Sequence, residues 1–330
     1  MSDTILVLVE QHRGILNRVS LETIAAAQAI ARDTGWQVEI AVLGSGIGVI
    51  AEELARKKSA RVYAVESPQL ASYTSDAYVY VLKEFLAGKK PKLILMPHTY
   101  QVRDFAPRLA LALGKSVIPD CTGYKYENGK LLFTRQMFQG KFAADVSFTD
   151  DGPLWMATFQ NAAFRGDQTE AGSAPVETIQ VTVPDDVIRV HADEPFKEGR
   201  QAVDLSQSQI IVAVGRGIKE QKNIAMAEEL AKLLGGDLAA SRPICDAGWL
   251  PLDRQIGSSG QTIAPKLYLS LGISGAIQHI VGMKGARTII AINKDAEAPI
   301  FEIADVGVAA NLFDIVPPLM EEIKKAKAGA

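Results

Sequence analysis

A chain of 330 residues, 48% hydrophobic and 22% charged, has room for two ordinary domains with sizeable cores and is not a disordered polymer. Its net charge of −3 leaves no electrostatic footprint for nucleic acid or an anionic membrane, and no apolar run reaches the ~18–20 residues that a membrane span requires. Two cysteines, Cys121 and Cys245, exclude a disulfide framework and are too few for a cysteine-held iron–sulfur cluster; with no leader-like pattern in MSDTILVLVE, a reducing cytoplasm is the expected compartment.

The first predicted element is a strand over 4–9. An amphipathic, alanine-rich helix over 16–34 follows, closed by Gly35. A strand over 36–43 leads through Gly44-Ser45-Gly46-Ile47-Gly48 into a helix ending near Lys58. Strands over 61–65 and 92–97 and helices over 75–87 and 101–113 continue the alternation. Strands alternating with helices predict a doubly wound parallel sheet. From Asp120 to Gln160 the apolar residues alternate instead, with turn signals at Asn128-Gly129 and Asp150-Asp151-Gly152. This predicts an antiparallel meander, with GKLLFTRQM and GPLWMATFQ among its strands. A polar stretch over 184–208 buries little apolar surface and is the expected domain boundary, giving domains of 1–200 and 201–330. A second alternation begins at Gln209: strand 210–214, helix 219–234, strand 237–240 and a terminal helix over 312–327.

The glycine cluster at 44–48 lacks the spacing of a dinucleotide fingerprint and has no suitably placed acidic partner, so it reads as a turn. The stretch from Ser241 to Asn293 is different. A strand over 266–271 enters Gly272-Ile273-Ser274-Gly275, and a helix starts at once with Ala276-Ile277-Gln278-His279. Glycines admit a ligand close to the backbone, and the amides and dipole of a first helical turn favour an anion. A strand over 288–292 ends on Asn293, at the edge where parallel sheets present ligand-facing side chains. Arg216 follows the strand 210–214 at the same edge, and Ser241-Arg242 ends the next. Gln255, Ser258, Ser259 and His279 add polar groups among apolar strands. Together they suit a large, polar, anionic heterocycle. His279 has no serine or cysteine to activate, the hydrolase elbow is absent, and His12, His98 and His191 lack metal-ligand spacing.

The run LYLSLGISGAIQHIVGMKGARTIIAIN, followed by FEIADVGVAANLFDIVPPL, closely resembles the C-terminal signature of the electron-transfer flavoprotein alpha subunit. The resemblance extends back through VAVGRGIKE and LAASRPICDAGWLP, and more loosely through the whole chain. It implies an N-terminal α/β domain for subunit contact and a C-terminal Rossmann-like domain that binds FAD. It further implies a heterodimer with a beta subunit, an acyl-CoA or related dehydrogenase as electron donor, as in fatty acid beta-oxidation, and a quinone oxidoreductase as acceptor. Such a protein is an electron carrier rather than a substrate-transforming enzyme.

Carried onto this sequence, the resemblance places Arg216 on the FAD, Arg242 over the isoalloxazine ring, and His279 toward the N1–C2 carbonyl edge. An always-charged guanidinium stabilises an anionic reduced flavin. Gln255, Ile256, Gly257, Ser258 and Ser259 fall among the cofactor contacts; Ser259 keeps the hydroxyl for the N5 edge, whereas the Ser258 side chain does not replace the reach of a long amide. Phosphates fall on Arg216 and the amides near Ser274 to Ile277, within Gly272, Ser274, Gly275, Ala276, Ile277 and Gln278. Asn293, Asn311 and Leu312 match contacts away from the ring. Relatives commonly carry glutamine and threonine where Ser258 and Ser259 stand, and aspartate where Asn311 stands. Trp249 and Cys245 read as packing residues. Two alternatives remain: the alpha subunit of an electron-bifurcating NADH-dependent complex, and an adenine-nucleotide-binding regulatory module. Hydrogen bonds to flavin nitrogens tune its potential. The paired substitution Ser258→Gln and Ser259→Thr is therefore expected to shift the flavin potential without loss of binding, as read by redox titration.

Overall fold

The computed structural model describes residues 3–138, 141–149, 152–191, 193 and 204–328. Its contacts divide the chain into two units, Met1–Pro195 and Phe196–Ala330.

The first unit runs β1 (Thr4–Val9), a small hairpin of β2 (Gln11–His12) and β3 (Ile15–Leu16), α1 (Val19–Thr34), β4 (Gln37–Gly44), α2 (Gly48–Ala55), β5 (Arg61–Glu66), α3 (Ser75–Lys89), β6 (Leu93–Pro97) and α4 (Tyr100–Leu113). Then come β7 (Val117–Glu127), β8 (Lys130–Met137), β9 (Phe142–Val146), β10 (Trp155–Phe159) and β11 (Val176–Gln180). All but the hairpin join one sheet of order β11-β5-β4-β1-β6-β10-β7-β8-β9. Ile5, Val7 and Val9 face α1 and α2, whereas Leu6 and Leu8 face α3 and α4. Cover on both faces explains why β1 is a nearly unbroken apolar run. Threonines start both helices of the second face: Thr74 accepts from the Ala77 amide, and Thr99 from the Val102 amide.

One predicted strand is misplaced. Only β7, β8 and β9 form the antiparallel meander. The strand within GPLWMATFQ, β10, lies between β6 and β7 and runs parallel to both. Four of its five residues are buried, which marks a central strand rather than a half-exposed meander. The edge strand β11, VETIQ, has no counterpart among the predicted elements. Part of the polar stretch also belongs to this unit: Val187 and Ile188 pack on the core, and Asp76 accepts the Arg189 amide at 3.0 Å. The expected turn at Asp150-Asp151, and residues 192 and 194–203 of the polar stretch, lie outside the described residues.

The second unit comprises β12 (Ile210–Val214), α5 (Ile224–Leu234), β13 (Asp237–Ser241), α6 (Arg242–Asp246), β14 (Gln255–Ile256), β15 (Leu267–Leu271), α7 (Ile277–Met283), β16 (Thr288–Asn293), β17 (Val306–Ala309) and α8 (Leu312–Ala328). Its six strands are all parallel, in the order β14-β13-β12-β15-β16-β17. Leu269 and Leu271 pack with α5 and α8 on one face, while Tyr268 packs with Ile211, Ile289 and Met283 on the other. Helix α5 starts later than expected. Lys219 stands at φ 66, outside helical space, and two short 3-10 turns precede Ile224. No helix among the described residues is long and apolar enough to cross a membrane.

One buried acid stands out in the first unit. Glu22 on α1 is 6% exposed and accepts the Ala162 amide at 2.7 Å. Burial pushes its carboxyl from 4.5 up to about 7, with the Ala162 hydrogen bond and Arg18 opposing. Between those values the folded chain holds a proton that the unfolded chain has released, so stability falls as pH rises from 4.5 through 7. The whole effect is of order 3 kcal/mol. Glu22→Gln should leave the melting temperature unchanged at acid pH and raise it by roughly 5 °C at alkaline pH, as read by calorimetry.

Candidate functional site

The strand order of the second unit reverses between β12 and β15. From β12 the chain proceeds outward to β13 and β14; from β15 it proceeds the other way, to β16 and β17. The loops after these two central strands therefore diverge and leave a crevice at their C-terminal ends, the place where open α/β sheets bind ligands. Backbone hydrogen bonds fix its floor. Gly215 N–H donates to the Leu271 carbonyl (2.9 Å), Gly217 N–H to Gly272 (3.0 Å), and Gly272 N–H to Ile292 (2.9 Å). A Cβ on Gly272 would stand 2.6 Å from the Gly217 Cα, and the residue lies at φ 65. Gly275 lies at φ 86, and a Cβ there would meet the Ile300 nitrogen, whose N–H donates to Ser274 at 3.1 Å. Only glycine fits either place.

Asn293 ends β16 as expected, and its side chain is employed within the protein. Its Nδ2 donates to the Ile273 carbonyl at 2.9 Å, and its Oδ1 accepts the Asp295 amide at 3.1 Å. It braces the Gly272–Gly275 turn. Beyond that turn, Ala276 opens α7 without a side-chain cap, and Ser274, Ile277 and Gln278 are exposed.

His279 turns inward from the same helix and is 6% exposed. Its Nε2 lies 2.7 Å from the hydroxyl of Tyr268, which is fully buried on β15. Its Nδ1 is buried and makes no hydrogen bond of acceptable geometry. Burial lowers the imidazole pKa to about 4, against a smaller opposing contribution from the Ile256 backbone, so the ring is neutral at physiological pH. In the tautomer in which Tyr268 donates its O–H to Nε2, the single ring proton sits on Nδ1, on the side of the Ile256 backbone. Ser270, two residues along β15, likewise buries a hydroxyl without a partner.

The loop after β13 is tied to α7. Ser258 N–H donates to the Gln278 carbonyl at 2.8 Å, and the buried Gln255 donates from Nε2 to Ser259 Oγ at 3.0 Å. Gly257 backs this loop onto the start of α7, close to the Gln278 carbonyl. Ser241 is buried at the end of β13. Arg242, next to it, is exposed and pairs with Asp246 at 3.2 Å, a surface pair that contributes little and is easily exchanged. Arg216 is exposed directly after β12 and Gly215.

Three expected contacts are narrowed by the packing. The side chains of Ile256 and Leu312 lie in the core, so only their backbones remain for a ligand. Asn311 is exposed and donates to Asp314 at 3.2 Å. Cys245 and Trp249 pack against the α5–α8 face. Tyr268 and Ser270 join the site without a counterpart among the expected residues. The period-two pattern of LYLSL puts both on one face of a buried strand, a signal visible in the sequence. In the first unit, the Ile47 amide at the mouth of the glycine cluster is taken by the Glu66 carboxylate at 3.1 Å. That supports the plain turn.

The electron transfer flavoprotein domain model matches residues 5–184, and the electron transfer flavoprotein FAD-binding domain model matches 204–284. The chain belongs to the electron-transfer flavoprotein alpha-subunit family. It is 37% identical to the electron transfer flavoprotein subunit alpha of Thermoanaerobacterium thermosaccharolyticum, over 97% of this chain and 98% of that one. It is also 37% identical to the Bacillus subtilis protein of the same name, over 98% of each. The lactate dehydrogenase (NAD(+),ferredoxin) subunit LctC of Acetobacterium woodii is 33% identical, over 97% of this chain and 77% of that protein.

FAD is thus the cofactor of the second unit. The residues suit it: a buried imidazole whose Nδ1 makes no well-formed hydrogen bond, two exposed arginines at the sheet's C-terminal edge, and turns too tight for any Cβ. Gly272→Ala is expected to separate the β12 and β15 loops and weaken FAD retention at least tenfold, about 1.4 kcal/mol. FAD fluorescence released on dilution measures this, with circular dichroism as the check on folding.

Proposed function

We propose that this chain, paired with a beta subunit, carries electrons from an acyl-CoA or related dehydrogenase to a quinone oxidoreductase, in the cytoplasm. The observation that carries the reading is the polar set gathered at the strand-order reversal of an FAD-binding unit. The alpha-subunit names of the relatives support a beta-subunit partner. FAD supplies the redox chemistry, accepting and releasing one or two electrons. The chain's own residues hold and tune it. Arg242 supplies fixed positive charge at the ring, and His279, kept neutral and braced by Tyr268, directs its Nδ1 proton toward the ring's carbonyl edge. The Ser259 hydroxyl, oriented by Gln255, serves the N5 edge. Arg216 and the backbone from Ser274 to Ile277 serve the phosphates.

A second reading rests on the resemblance to the Acetobacterium woodii subunit, whose name pairs NAD(+) with ferredoxin. On that reading the partner subunit holds a further FAD and the complex bifurcates electrons. Counting FAD in the purified heterodimer separates the two, one for simple transfer and two for bifurcation.

Arg242 provides the direct test. Positive charge beside the ring favours the reduced, anionic cofactor. Arg242→Gln should lower the two-electron potential by roughly 30 mV or more, with Arg242→Lys between it and the wild type. Spectroelectrochemical titration of the heterodimer reads this, and coincident curves would remove Arg242 from the ring.

A further inference from the structure

The first unit contains a cleft that flavin chemistry does not use. It lies between α4 and β7, has a volume of about 360 Å³, and is lined on one side by Val102, Arg103, Ala106 and Pro107. His98, Asp120, Arg135 and Thr158 supply the polar part of its opposite wall. The sheet reaches it through the ends of β6 and β10, at the same kind of C-terminal edge that serves ligands elsewhere in parallel sheets.

Three of the polar groups satisfy one another. Thr158 Oγ1 accepts the Asp120 amide at 2.9 Å and lies 2.8 Å from His98 Nδ1. Asp120 Oδ1 stands 3.8 Å from His98 Nε2. The threonine hydroxyl, already accepting, is free to donate to Nδ1, which leaves the Nε2 proton facing the aspartate. Asp120 is held at φ 60 in this arrangement, a conformation that a non-glycine residue adopts only when its surroundings impose it.

One arginine is left unsatisfied, Arg135, and the other, Arg103, is exposed at the rim. Arg135 buries its Nε with no hydrogen bond, and neither Arg135 nor Arg103 forms an ion pair among the described residues. Arg103 lies over the Tyr100 ring at 5.5 Å, which leaves its donors uncommitted. Leaving a guanidinium N–H buried and unpaired costs about 1–3 kcal/mol, so an arginine so placed calls for an acceptor. With His98 neutral, two guanidiniums face one carboxylate and the cleft is net positive. His98 reports the same field. Burial pulls its pKa below the ordinary value, Asp120 opposes, and Arg103 and Arg135 pull it further down.

We propose that this cleft binds the oxyanion of a small molecule, a phosphate or carboxylate, on Arg135 and Arg103. Guanidinium forks match both groups in a bidentate manner. The apolar wall of Val102, Ala106, Pro107 and Val117 would carry the organic remainder. Its volume falls at the lower end of ordinary small-molecule sites. The Ile47 turn in the same unit makes the contrast plain: there an internal carboxylate, Glu66, already fills the acceptor role, and in the α4–β7 cleft none does.

Inorganic phosphate titrated calorimetrically into the FAD-loaded heterodimer, at constant ionic strength, provides the test. The wild type should bind with saturable heat. Arg135→Met should weaken binding at least tenfold and Arg103→Met at least threefold, with the flavin spectrum unchanged as the check on folding. Equal affinity in wild type and Arg135→Met, or no saturable heat in the wild type, would overturn the proposal. So would loosened subunit association in Arg135→Met with no phosphate binding in the wild type, which would give the arginine's counter-charge to the partner subunit.

Discussion

The close approach of Gly217 to Gly272 sets the geometry of the second unit. Two loops leave adjacent central strands and diverge, yet their backbones touch and share hydrogen bonds before they part. That contact needs two residues without side chains facing each other. Part of the set expected at FAD is positioned from it: Arg216 stands between Gly215 and Gly217, the Gly272–Gly275 turn starts there, and α7 delivers His279 from the far side of the turn. Asn293 repeats the principle one strand further out, by holding the Ile273 carbonyl. The crevice is thus rigid in its backbone, and its arginines are free to adjust on its rim.

Much of the alternation was legible because strands covered on both faces are apolar throughout and helices between them are amphipathic. β12 has the predicted bounds for this reason. Where the chain departs from that rule, the reading failed in specific ways. β10 has the same apolar character as a meander strand at that position would have; only its neighbours in the sheet distinguish the two, and they are set by tertiary contacts. Lys219 has no local signature for a positive φ, so the start of α5 was displaced. Val187 and Ile188 were hidden inside a polar stretch whose average composition suggested a linker.

The cofactor site shows a similar division. Glycines and arginines at strand ends follow from the spacing of the sequence alone, and the family resemblance assigned them to parts of FAD. What the sequence did not convey was how internal hydrogen bonds use the polar set. Asn293 braces the turn with its side chain, and the side chain of Leu312 packs in the core. A tyrosine in a buried strand is ordinary in sequence, and only the fold sets the Tyr268 hydroxyl against the His279 imidazole.

The neutrality of that imidazole bears on how the site responds to its surroundings. A ring that takes up a proton only near pH 4 adds no charge across the range in which cells operate. The cationic character of the crevice therefore resides in guanidinium groups, which do not titrate there at all. Acidification that stops short of about pH 4 leaves the charge of this imidazole as it was, so the ring contributes no proton-dependent charge to the crevice.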